Sequence, residues 1–139
     1  MILVLIQFSS IGWLAFSCQY HDIGFLSFLL MIASFFLVTW SVLTMQKSKL
    51  KIFPEPSPDA ILVKEGPYKY IRHPMYTSVL LGCIGLILID FNLIRLIVFS
   101  ILFFDLLFKL EWEEKMLLQK FAGYQDYCKS THKLIPLIF

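Results

Sequence analysis

Four long apolar stretches limit this chain to one kind of architecture. They run from about Ile2 to Cys18, from Ile23 to Met45, from Pro74 to Ile89 and from Leu93 to Leu110. Continuous apolar runs of this length cannot be strands, so the sequence predicts an all-α fold. A helix needs about 17–25 residues, rising 1.5 Å each, to cross a bilayer. The second stretch meets that comfortably and the other three sit at its short end. Charge is scarce as well: 16% of the 139 residues are charged and 58% are hydrophobic. A soluble domain carries about a quarter charged residues. The expectation is an integral membrane protein with about four transmembrane helices, whose first partner is the lipid bilayer.

The connections organise these spans into a single domain, residues 1–139. Residues 1–45 hold two N-terminal spans, 46–73 a cytoplasmic loop, and 74–139 a helical hairpin with a C-terminal tail. Gln19 to Asp22 and Asp90 to Asn92 are tight turns without Lys or Arg. The long loop carries Lys47, Lys49, Lys51, Lys64, Lys69 and Arg72, and the tail adds Lys115, Lys120, Lys129 and Lys133. With four spans, all these loop cations fall on one membrane face, and the positive-inside bias makes both termini cytoplasmic. No basic residue precedes the first stretch and no small-residue cleavage pattern follows it, so it reads as a retained span. That fits a multi-pass protein of a prokaryotic inner membrane. A net charge of +2 offers nothing to nucleic acid. Cys18, Cys83 and Cys128 are far apart and have no ligand spacing, so neither a disulfide framework nor a metal site is expected.

Two polar clusters interrupt this apolar background. Gly66-Pro67-Tyr68-Lys69-Tyr70-Ile71-Arg72-His73-Pro74-Met75-Tyr76 holds cations, an imidazole and three phenols; Glu111-Trp112-Glu113-Glu114 is acidic. Ionisable groups at membrane depth are costly, which makes a functional reading the default. Pro54, Pro56 and Pro58 forbid a continuous helix through the loop. Pro74 suits the first turn of the third helix, with His73 at its N-terminus. The third and fourth spans form a hairpin around Asp90-Phe91-Asn92, each leg roughly 25 Å at helical rise. Arg72 and His73 thus return to the membrane face that Glu113 and Glu114 occupy. A helix N-terminus with Arg72 and His73 favours a carboxylate or phosphate. A Glu pair favours an ammonium group, and tyrosine faces suit a sulfonium or an adenine ring. Together these are the functional groups of S-adenosyl-L-methionine.

The 66–76 segment resembles the signature of the isoprenylcysteine carboxyl methyltransferase and phospholipid methyltransferase superfamily. Leu62-Val63 upstream is similar to the Leu-Val of that family. Downstream, Glu113-Glu114, Leu117-Leu118, Phe121, Tyr124, Tyr127 and Leu134-Ile135-Pro136 follow its C-terminal pattern. The resemblance covers about Ile61 to Phe139. It implies a membrane-embedded methyltransferase that uses S-adenosyl-L-methionine, held between the loop and the last helices, with the C-terminal amphipathic segment helping to form the site. Carried over by position, it implies cofactor contacts from Leu62, Val63, Tyr68, His73, Pro74, Met75, Tyr76, Glu113 and Glu114. Glu113 would hold the amino group, and Arg72, His73 and Glu113 would carry the catalysis. Lys109 stands where the isoprenylcysteine branch has an arginine for the substrate carboxylate, and Ala60 where that branch has a histidine. The expected acceptor is a hydrophobic, lipid-like or prenylcysteine-type molecule methylated on a carboxyl, and the reaction needs no metal.

Other readings stay open. A phospholipid amine N-methyltransferase shares these motifs, and a nicotinamide-dependent membrane reductase or a non-enzymatic membrane subunit are more distant alternatives. Glu111 and Lys115, four apart, suit a solvated helix face. Tyr70 fits an interfacial aromatic belt, as do Trp13, Trp40 and Trp112. His21 and His132 read as surface residues. The tail from Met116 is amphipathic and aromatic, and reads as lying on the membrane surface or folding back over the loop.

Overall fold

The computed structural model of this protein describes residues 2–20, 23–46 and 61–135. The loop prolines Pro54, Pro56 and Pro58, the cations Lys47, Lys49 and Lys51, and Ala60, His21 and Pro136 lie outside those residues. The described chain is helical: α1 (Ile2–Phe16), α2 (Phe25–Met45), a 3-10 turn (Gly66–Lys69), α3 (Pro74–Ile89), α4 (Leu93–Lys120) and α5 (Tyr124–Ser130). An isolated parallel bridge between Ile71 and His132 is its β feature.

The helices fall where the apolar runs predict, with one difference. Pro74 occupies the first turn of α3 and His73 is its N-cap residue, as expected. Asn92 caps α4, its side chain accepting from the Arg95 amide at 3.0 Å. Yet α4 does not end near Leu110; it continues to Lys120. The segment after Leu110 is rich in Glu, Lys, Leu, Met and Gln, all good helix formers, and meets no glycine until Gly123. So the acidic cluster is the continuation of the fourth apolar helix, and only Tyr124–Ser130 is a separate tail helix.

α3 sits between α2 on one side and α1 and α4 on the other. Its seam with α2 is built from small residues. Ser27, Ser34 and Ser41 recur every seven positions along α2, a spacing that keeps one stripe on a supercoiled partner. Across from them, a Cβ on Gly82 would lie 2.9 Å from Ser34 Oγ, and one on Gly85 would lie 3.3 Å from the Ser27 carbonyl oxygen. The Ser34 hydroxyl donates to the Ser78 carbonyl at 2.7 Å. Small side chains let the backbones approach, which is how helices pack where lipid removes the hydrophobic drive. Behind this seam lies the core of Leu14, Cys83, Leu102, Leu106 and Leu110. The outer face of α2 leaves Phe25, Phe28, Phe35 and Phe36 exposed.

Among the described residues, α2 is the helix long and apolar enough by itself to cross a bilayer; α1 and α3 are apolar but shorter. With 15 and 16 residues they fall short of a hydrocarbon core of about 30 Å.

The end of the bundle opposite Arg72 is held by a cation that the apolar runs conceal. Arg95 is 0% exposed. It donates to the Leu14 carbonyl at 2.7 Å, to Ser17 Oγ at 2.8 Å and to the Leu86 carbonyl at 3.4 Å. Asp90 lies 3.7 Å away and also accepts from the Gln19 amide at 3.3 Å. Arg95 thereby reaches carbonyls at the C-terminal ends of both α1 and α3, sharing the Leu86 carbonyl with the Asp90 amide at 3.4 Å. Charged hydrogen bonds of this kind contribute about 1.5–3 kcal/mol each. Arg95→Met is expected to lower the thermal midpoint of detergent-purified protein by several degrees while leaving helix content unchanged. An unaltered midpoint would mean that the staple carries no weight.

Candidate functional site

The site forms where the chain enters α3. Gly66 begins the 3-10 turn at φ +57°, and a Cβ there would lie 2.7 Å from Thr44 Oγ1, so glycine seats the turn tightly against α2. The turn buries Pro67 and Tyr68. Residues 71–73 then pair with the tail: the Arg72 amide donates to the His132 carbonyl at 2.8 Å and the His73 amide to the Lys133 carbonyl at 3.1 Å. Thr77 Oγ1 extends this pairing to the Leu134 carbonyl at 2.7 Å. The tail thus folds back over the loop, the second of the two placements expected for it.

Arg72 is engaged in several directions. Its Nε donates to Glu114 Oε1 at 2.6 Å, and a terminal nitrogen donates to the Cys128 carbonyl at 3.1 Å and to the Thr131 carbonyl. Glu114 is 13% exposed and also lies 3.4 Å from His73 Nε2 and 3.9 Å from Lys133 Nζ. The His73 contact is too poorly aligned for a hydrogen bond, which leaves Nε2 without one among the described residues. Burial alone pushes the Glu114 carboxyl up, but contact with His73 and Arg72 outweighs it and holds the group at about 2.

Glu113, one position earlier on α4, faces elsewhere. It is 29% exposed; Oε1 accepts from the Tyr76 hydroxyl at 2.6 Å, and Oε2 lies 3.8 Å from His73 Nδ1. The His73 and Tyr76 rings stack with centroids 5.4 Å apart. Tyr68 is buried, and its hydroxyl has no hydrogen-bond partner among the described residues. Burial raises that phenol well above its ordinary value, so it stays a neutral donor. Tyr127 donates to the Tyr68 carbonyl at 2.6 Å and fixes the turn from the tail side.

The structure therefore brings together Tyr68, His73, Tyr76, Glu113 and Glu114, with Arg72 beside them. Lys109 joins from one turn down α4, its Nζ 5.4 Å from the Tyr76 ring centroid and donating to Gln7 Oε1 at 3.0 Å. Pro74 is buried at the start of α3 and Met75 is half-buried after it. Leu62 and Val63 lie half-buried in the strand-like approach to the turn. Two polar residues of this neighbourhood escaped sequence reasoning. Gln7 was one polar position inside the first apolar run. Asp105 is buried at 5% exposure on α4, with neither carboxylate oxygen hydrogen-bonded among the described residues. Its signal was available: 105, 109 and 113 are spaced by four and share a helix face.

The residues present suit a cofactor with an ammonium, a sulfonium and an aromatic base. Glu113 Oε2 can accept from an ammonium, and the unpaired Tyr68 hydroxyl can meet a polar atom that the protein does not supply. A carboxylate stacked beside aromatic faces stabilises a cation from two sides.

The sequence profile of the phospholipid methyltransferase family matches residues 23–123. A protein-S-isoprenylcysteine O-methyltransferase of Schizosaccharomyces pombe is 30% identical over 82 residues, 58% of this chain and 35% of that protein. The solved structure of the eukaryotic intramembrane Ras methyltransferase, isoprenylcysteine carboxyl methyltransferase, superposes with a TM-score of 0.67 at 24% identity. That likeness concerns the fold, covering 99% of this chain and 52% of the solved one. The chain thus spans about a third of the curated relative and half of the solved structure.

The Arg72–Glu114 contact gives the site an acid signature. The folded Glu114 carboxyl sits at about 2, below the ordinary 4.5. A depressed folded value contributes stability that is present above the unfolded value and is lost as pH falls towards the folded one. Thermal midpoints measured between pH 6 and pH 3 should fall more steeply for the parent than for Glu114→Gln. Parallel profiles would show that the contact is energetically silent.

Proposed function

This chain belongs to the phospholipid methyltransferase family, and on that premise we propose that it is a membrane-embedded methyltransferase. It uses S-adenosyl-L-methionine and methylates a hydrophobic, lipid-like acceptor. The observation that carries the reading is the Tyr76–Glu113–His73 cluster at the start of α3, with the unpaired Tyr68 hydroxyl beside it.

Glu113 holds the ammonium of the donor, and the Tyr76 hydroxyl fixes which carboxylate oxygen remains free for it. Tyr68, His73, Pro74, Met75 and Tyr76 wall the pocket, and Leu62 and Val63 flank it on the loop side. Arg72 and Glu114 are positioning residues: they lock the tail and loop against α4 and keep His73 in place. When bound, the cofactor supplies a methyl group on a sulfonium, ready for an in-line nucleophile. The chain's own task is to hold the acceptor atom about 3–3.5 Å from that methyl in a dry site. Lys109 is the acceptor-side cation and suits a carboxylate, as in a prenylcysteine-type acceptor methylated on its carboxyl. The alternative, transfer to the amine of a phospholipid, is favoured by the unpaired Asp105 carboxylate on the same helix face.

The domain is single, with α1 to α4 as four spans and both termini cytoplasmic in a prokaryotic inner membrane. In support, Lys64, Lys69, Arg72, Lys115 and Lys133 belong to the segments at the site end of the bundle, whereas Arg95 at the other end is buried and bonded.

Calorimetric titration of S-adenosyl-L-methionine into detergent-purified protein tests the reading. Saturable binding is expected, weakened about tenfold or more by Glu113→Gln and by His73→Ala, and unchanged by Glu111→Gln on the exposed face. Absence of binding to folded parent protein would end the methyltransferase reading.

A further inference from the structure

Gln7 is a buried polar side chain that the proposed chemistry leaves without a task. It sits inside the first apolar helix at 9% exposure, and an amide at such a position is retained only where it is hydrogen-bonded. Its carboxamide oxygen accepts from Lys109 Nζ at 3.0 Å where α1 packs on α4, 102 positions away in sequence. Lys109 is half-buried, and the same ammonium stands 5.4 Å from the centroid of the Tyr76 ring. The Tyr76 hydroxyl in turn donates to Glu113 at 2.6 Å. One polar residue of α1 is thus the first link of a series that ends at the carboxylate assigned to the donor's ammonium.

Lys109 forgoes a nearer partner. Asp105 precedes it by four positions on α4, the spacing and order in which a carboxylate and an ammonium pair along a helix. Helical side chains also lean towards the N-terminus, which carries the lysine stem towards Asp105. Yet Asp105 is 5% exposed, and neither of its oxygens has a hydrogen-bond partner among the described residues. Lys109 acts on that carboxylate through space alone. Two stations therefore lie within reach of one lysine. At the Tyr76 ring it is shared between a neutral amide and a π face, neither of which cancels its charge. Of its three N–H donors, Gln7 takes one. At Asp105 it would become half of a neutral pair.

We propose that Gln7 is a positioning residue: it draws Lys109 away from Asp105 and holds it at the Tyr76 ring as an uncancelled cation for the acceptor's polar end. This role rests on the methyltransferase reading and on Lys109 as the acceptor-side cation, and it gives α1 control over the charge that the acceptor meets. With Gln7 in place the site presents a positive group; without it, Lys109 and Asp105 neutralise each other. Amides between helices also serve simply to join them. A joining role alone predicts lost stability with no dependence on Asp105.

Two readouts on full-length protein in a neutral detergent test the role. Nuclear Overhauser contact between isotope-labelled Lys109 and the Tyr76 ring reports the station; calorimetry with dodecanoate, a plain anionic amphiphile, reports the free cation. The parent should show the contact and bind dodecanoate saturably. Gln7→Met keeps the length and removes the acceptor, and should lose the contact and weaken dodecanoate about tenfold or more. Adding Asp105→Asn removes the charge that captures Lys109, and should restore the contact and bring affinity within about threefold of the parent. Gln7→Glu should keep the contact yet bind dodecanoate weakly, because an ion pair then cancels the ammonium.

A parent that binds no dodecanoate would overturn the proposal, as would Gln7→Met with contact and affinity unchanged. A double variant no better than Gln7→Met would do the same, since a mere link between helices gives that result. Should Gln7→Met fold poorly, the isosteric Gln7→Glu decides: full dodecanoate affinity there would sink the idea. Neither readout needs the methyl donor. A parent that passes both but binds no S-adenosyl-L-methionine would remove the methyltransferase reading and leave Gln7 as the residue that sets Lys109.

Discussion

The guanidinium of Arg72 is the contact on which the site end of this molecule depends. It projects from the residue before His73 and reaches α4 through Glu114 and the tail through two carbonyls. These partners lie 42 to 59 positions away in sequence. A planar fork with fixed donor directions can serve several acceptors at once, which a lysine ammonium on a flexible stem does less well. The neighbouring backbone repeats the same connection through its bonds to His132 and Lys133. Helix packing fixes α3 against α4, but the irregular chain at their ends has little apolar surface to bury. A charged, buried hydrogen-bond hub does for it what packing does for the helices.

Adjacent positions on α4 then divide the work. Successive helical residues point about 100° apart, so Glu113 and Glu114 meet the His73 ring at different nitrogens and take different further partners. Glu114 turns into the Arg72 hub and is consumed by it; Glu113 turns towards Tyr76 and keeps an oxygen open. An acidic pair that reads as one motif is thus one carboxylate held in a buried ion pair and one that is partly exposed, side by side. The same helix carries Lys109 and Asp105 one and two turns further from its C-terminal end, so a single rigid element sets the spacing of these charged groups.

Much of this was legible in the residues. The apolar runs located α1 to α4, Pro74 marked the start of α3, and the hairpin geometry brought His73 to Glu113. The motif residues were readable because their chemistry contrasts with an apolar background. The opposite situation hid Arg95, Asp105 and Gln7: each is a lone polar residue inside a run whose average hydropathy overwhelms it. Periodicity would have exposed Asp105 through its register with Lys109 and Glu113. Arg95 offered no such register, because two of its partners are backbone carbonyls, which any sequence provides, and Ser17 lies 78 positions away. The continuation of α4 to Lys120 was obscured by a change of polarity without a change of helix propensity.

Arg95 also bears on how the protein is built. A bare arginine would have to be moved across the hydrocarbon if α4 entered the bilayer by itself. Asp90, five residues earlier, lies 3.7 Å from it, so α3 and α4 taken together hold their own counter-charge. The two terminal nitrogens of Arg95 also meet Ser17 Oγ and the Leu14 carbonyl, at and just beyond the end of α1. α1 and α3 both precede α4 in the chain, so in order of synthesis the acceptors are made before the cation that joins them.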